Sequence, residues 1–73
     1  MNEQEAKAIL LEWLKRRIRE GFYPSNVLEE LYSGHAPSYI SEAHFYILWT
    51  KAEYELLAEF AAWGLKEGAA NEQ

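Results

Sequence analysis

The chain has 73 residues, a formal charge of −5 from twelve carboxylates against seven Lys and Arg, 49% hydrophobic positions and no Cys. That length holds one small domain with a thin core, and the lack of Cys excludes a disulfide framework, a thiolate metal site and a thiol nucleophile. All twelve acids are Glu, so the Asp-dependent arrangements of EF-hand loops, Walker B magnesium sites, aspartic dyads and the usual Ser-His-Asp triad are excluded too.

The first predicted element is a helix from Glu3 to about Glu20. Asn2 is its N-cap, Glu5 completes a capping box, and Gly21 is its stop. Ala6, Ile9, Leu10, Trp13, Leu14 and Ile18 recur at spacings of three and four and mark its apolar face, with Glu12, Lys15, Arg16 and Arg19 behind. Its acids come early and its bases late, the order a helix dipole favours.

Phe22, Tyr23 and Pro24 interrupt the helix, and Ser25 is the expected N-cap of a short second one through Val27, Leu28, Leu31 and Tyr32, ending at Gly34. A loop follows over His35 to Ser38, with Ser38 or Ser41 available to cap the next element.

Tyr39 to about Leu65 contains no Pro and reads as one long helix with two apolar stripes. The first holds Phe45, Trp49, Ala52, Leu56, Phe60 and Trp63; the second, roughly opposite, holds Ile40, Ala43, Ile47, Tyr54, Ala61 and Leu65. A helix apolar on two sides needs cover on both, which points to a second copy of the chain. A competing reading takes Thr50 to Glu53 as a capping box and starts a fourth helix at Lys51. In that case residues 45–49 end a third helix or form a short strand, although the chain offers that strand no partner. The fold class is therefore all-α: a small three- or four-helix bundle, dimeric through its C-terminal helix, with a helical domain over 1–66 and a flexible tail over 67–73.

Lys15, Arg16, Arg17 and Arg19 form the one basic cluster. They suggest phosphate binding, against the simpler reading of dipole complementation and ion pairs with Glu12 and Glu20. Arg17 lies close to the apolar face and either snorkels or binds something. A helix-turn-helix over Ser25 to Ser33 and Ser38 onward is superficial, because Tyr39, Ser41, Glu42, His44 and Phe45 offer base edges almost no suitable donors. His35 and His44 match no metal-ligand spacing, and His44 reads as a helix-surface or interface residue. Ser25, Ser33, Ser38 and Ser41 cluster at turns as caps, and Gly21, Gly34, Gly64 and Gly68 are too scattered for a phosphate loop.

Aromatic residues are 15% of the chain and crowd its second half. Trp13, Trp49 and Phe60 read as core, whereas Tyr46, Tyr54 and Trp63 suit interface anchors that bury area and keep a polar handle. The expectation is a small cytoplasmic, non-enzymatic protein-interaction module, a regulator, adaptor or inhibitor that occludes a partner surface without metal or cofactor. Tyr46, Tyr54, Trp63, Glu42, Glu53, Glu55 and Glu59 are its candidate partner-binding residues. The alternative is nucleic-acid binding through Lys15, Arg16, Arg17 and Arg19. No secretory leader or membrane span is expected from the charged first twenty residues and the short apolar runs.

Overall fold

A computed structural model describes residues 1–68. The described chain is all-helical: α1 (Glu3–Arg19), α2 (Pro24–Tyr32), α3 (Ser38–Ile47) and α4 (Lys51–Trp63), followed by one π-helical turn over Gly64–Gly68. Of the tail expected over 67–73, residues 69–73 lie outside the described residues.

The α1 N-terminus is the expected capping box: the Glu5 N–H donates to Asn2 Oδ1 at 2.9 Å and the Asn2 N–H donates to Glu5 Oε1 at 3.1 Å. Both early helices end in Schellman motifs on a glycine of positive φ, Gly21 at 104° and Gly34 at 84°. In α1 the Gly21 N–H returns to the Ile18 carbonyl and the Phe22 N–H to that of Arg17; in α2 the Gly34 N–H returns to Leu31 and the His35 N–H to Glu30. The helix α2 starts at Pro24 rather than after a Ser25 cap, because Pro24 brings a helical φ and no N–H that needs a partner. Ser38 is likewise inside α3, whose first N–H groups, from Ile40 and Ser41, donate to the Pro37 carbonyl.

The single long helix expected from Tyr39 to Leu65 is corrected to two. The Thr50 N–H donates to the Ile47 carbonyl at 3.0 Å across Leu48 (φ −57°, ψ 130°) and Trp49 (φ 64°), which is a type II β-turn. Thr50 then caps α4, accepting from the Ala52 N–H at 3.2 Å and donating to the Ile47 carbonyl at 2.7 Å. Because the turn uncouples the two halves, each buries its own face. In α3 the buried set is Ile40, Ala43 and Ile47, from the second stripe, together with His44; in α4 it is Ala52, Leu56 and Phe60, from the first. Both sets join Ala6, Leu10, Trp13 and Leu14 of α1 and Val27 and Leu31 of α2 in one core, so α1 lies along both α3 and α4 with α2 at the flank.

Apart from Trp63, which is half-buried against the core, the leftover members of both stripes face outward. Phe45 and Trp49 of the first and Tyr54 and Leu65 of the second are exposed, as is Ala61. The placement of Trp49 in the core is thus corrected: the turn lifts it off the bundle.

Candidate functional site: an aromatic corner between α3 and α4

Two observations converge at the α3–α4 corner. Trp49 is 89% exposed, with Phe45 at 76% and Tyr54 at 79% beside it in the sequence order of the two helices. Trp49 also occupies the third position of its type II turn, where φ must be positive and Gly or Asn is usual. Holding a bulky L-residue there costs about 1–2 kcal/mol, and the exposed ring recovers little of it by burial.

Behind Trp49 lies a cleft of about 390 Å³, lined among others by Tyr32, Ser41, His44, Phe45, Leu48, Trp49 and Glu53. A second hollow of about 360 Å³ adjoins it, sharing Trp49 and Glu53 and bounded by Tyr54 and Leu57. Glu53 is the hub of the two. Its Oε1 accepts from the Trp49 N–H at 2.8 Å and its Oε2 accepts from the Tyr32 hydroxyl at 2.6 Å. The Tyr32 hydrogen bond holds the Glu53 carboxyl below its ordinary range, helped by the Trp49 N–H and opposed by burial. The phenol responds in the opposite sense: burial first, then the bond to the carboxylate, pushes Tyr32 up to about 12. Glu53 is consequently charged and Tyr32 neutral at physiological pH.

His44 sits beneath this pair rather than on the helix surface. Its ring is 5% exposed and meets the Tyr32 ring edge-on, centroids 4.5 Å apart. His44 Nε2 is buried without a hydrogen-bond partner, and burial holds the imidazole below its usual range although the nearby Glu53 charge pulls the other way.

The acidic and aromatic residues expected to bind a partner are dispersed over several surfaces. Tyr54 and Glu53 belong to the corner, Tyr46 is half-exposed on α3, and Glu42 is exposed. Glu55 and Glu59 are engaged within the molecule, accepting from Lys7 Nζ of α1 at 3.2 and 2.9 Å. Trp63 stacks on Phe60, ring centroids 6.3 Å apart, and carries Lys15 and Arg19 above it at 5.8 and 5.5 Å.

The basic cluster likewise divides. Arg17 is fixed by Glu20 at 2.9 Å and Glu30 at 3.1 Å, with its guanidinium 4.1 Å from the Phe22 ring centroid. Burial works against its charge, but the two carboxylates outweigh burial and raise its pKa further. It therefore ties the end of α1 to α2 and to the intervening loop. Arg16 donates to the Tyr39 hydroxyl at 3.3 Å, away from the Lys15 and Arg19 pair over Trp63. Among the described residues no three His or Glu side chains gather as a metal site, and no helix is long and apolar enough to cross a membrane.

Sequence reasoning missed Tyr32, His44, Phe45 and Trp49 as members of one site. One signal was present: once Thr50 is taken as an N-cap, Leu48 and Trp49 are the whole connection, which makes them the central residues of a β-turn rather than part of a helix. Comparison with family models, curated proteins and solved structures gives no match. The functional reading accordingly stands on this geometry.

Proposed function

We propose that the chain is a non-enzymatic protein-binding module that docks on a partner through the α3–α4 corner and occludes the surface it covers. The observation that carries this reading is Trp49: a large aromatic, 89% exposed, kept at a φ of 64° where Gly would relieve the backbone. Phe45 and Tyr54 extend the apolar area, and aromatic anchors of this kind dominate the energy of protein interfaces. The Glu53 charge and the net −5 of the chain favour a partner segment that is apolar and basic. A cytoplasmic setting, as an inhibitor or adaptor, agrees with a chain free of Cys.

Self-association along α4 is a second part of the proposal. Tyr54, Ala58, Ala61 and Leu65 are exposed at spacings of four, three and four, the seam of a helix pair, with small residues at its middle that permit close approach.

The docking reading is tested with a photo-reactive phenylalanine analogue at position 45, irradiated in the host cell, with position 12 on the back of α1 as control. A discrete adduct from position 45, diminished by excess unlabelled chain and absent from position 12, is the expected result. Equal adducts from both positions would remove the corner from consideration.

A further inference from the structure

We infer that the cleft behind Trp49 is a receptor for an arginine side chain of the partner, with Glu53 as the counter-ion and Tyr32, Phe45 and Trp49 as the aromatic walls. This deepens the docking proposal and rests on it.

The carboxylate is the first reason. Arg17 and Lys7 take up the carboxylates of Glu20, Glu30, Glu55 and Glu59, but Glu53, partly buried at the corner, pairs with no cation among the described residues. Its two internal hydrogen bonds occupy one lone pair on each oxygen and leave one on each free, the arrangement that accepts a forked guanidinium. Those same bonds fix its orientation before any ligand arrives, which lowers the ordering cost of binding.

The walls supply the second reason. A charged group flanked by Tyr, Phe and Trp rings suits a planar, weakly hydrated cation, because the ring faces attract positive charge and stack on a flat group. The chain already uses this contact internally, with the Arg17 guanidinium 4.1 Å from the Phe22 ring centroid between Glu20 and Glu30. The cleft has the same components, a carboxylate and aromatic faces, without the guanidinium.

His44 closes the floor of the cleft as a neutral ring, its pKa held low by burial, and so adds no positive charge to oppose a guanidinium. An ammonium has the charge but neither the planar fork nor the stacking face, so Arg is selected over Lys.

The test uses the full chain labelled with ¹⁵N and the assigned indole N–H of Trp49 as reporter. The probe is Nα-acetyl-arginine methylamide, compared with the citrulline and lysine equivalents. A saturable shift in the millimolar range, a lysine shift at least threefold weaker and no saturation by citrulline, which has the same shape without the charge, are expected. Glu53→Gln, verified as folded from its spectrum, should weaken the arginine probe at least tenfold. Citrulline binding as well as arginine, or no arginine saturation by about 50 mM, overturns the inference; the citrulline arm needs no variant and stands even if Glu53→Gln fails to fold. A position-45 adduct formed by a chain that ignores arginine refutes this inference alone, whereas loss of that adduct refutes the docking reading beneath it.

Discussion

The Tyr32 hydroxyl donates a 2.6 Å hydrogen bond to Glu53 Oε2 and so joins the end of α2 to the first turn of α4. These residues are 21 positions apart, and their bond sets the charge of the corner as well as its shape. Replacing Tyr32 by Phe removes the donor and leaves Glu53 held only by the Trp49 N–H. A charge-assisted bond of this type contributes on the order of 1 kcal/mol when partly exposed. The folded pKa of Glu53 is depressed from 4.5, so this stability is full above the unfolded value and is lost as pH falls through the folded one. Tyr32→Phe should lower stability at neutral pH and flatten its loss below about pH 4.5, measured by urea unfolding across pH.

His44 adds an earlier acid step. Its folded pKa lies below the ordinary imidazole value of 6.5, so the unfolded chain binds more protons as pH drops past that value, and stability declines until the folded pKa is passed. The titratable groups facing it are Tyr32, neutral here, and Glu53, whose charge limits the depression. His44→Phe keeps a ring against Tyr32, removes the orphan nitrogen and should abolish the decline that sets in below about pH 6.5. A decline of unchanged size in that variant would assign it to another group.

Trp49 separates folding from binding. Trp49→Ala keeps an L-residue at positive φ, whereas Trp49→Gly relaxes it, so the Gly variant should exceed the Ala variant by about 1 kcal/mol in urea unfolding. Neither should fall far below the parent, since the ring is exposed and the backbone N–H that serves Glu53 is retained.

Glu55 and Glu59 are structural partners of Lys7, whose pKa they raise through hydrogen bonds, Glu59 foremost. Gln at both positions should loosen α1 from α4 slightly and leave the position-45 adduct intact, while Glu53→Gln should diminish it. Competition assays on the two variants distinguish the roles.

The α4 seam has a direct solution test. Tyr54→Glu with Ala61→Glu places charge on two exposed positions, so, on the proposed self-association, the parent should sediment as a dimer and the variant as a helical monomer. Loss of helicity on substitution would instead make the seam part of the core.

Much of the fold was legible from local signals. The α1 capping box, the Gly21 and Gly34 stops and the α1 face of Ala6, Leu10, Trp13 and Leu14 all follow from spacing and cap chemistry, and the structure has each of them. The site was harder to read because its decisive event is a two-residue turn. Treating 39–65 as one helix keeps Trp49 in phase with Ala52 and Leu56 and sends it to the core; the turn at Leu48 and Trp49 shifts that phase and sends it to solvent. The Tyr32 to Glu53 bond and the burial of His44 depend on how α2 packs near that turn, which no periodicity encodes. Thr50 was the legible clue, and its capping role is what the structure has.

The most direct test of the corner as a binding surface is competition for the position-45 adduct by the folded Trp49→Gly chain. If Trp49 is kept at its strained position for binding, the variant should equal or exceed the parent in stability and fail to reduce the adduct at concentrations where the parent removes it. A Trp49→Gly chain that competes as well as the parent would contradict the account.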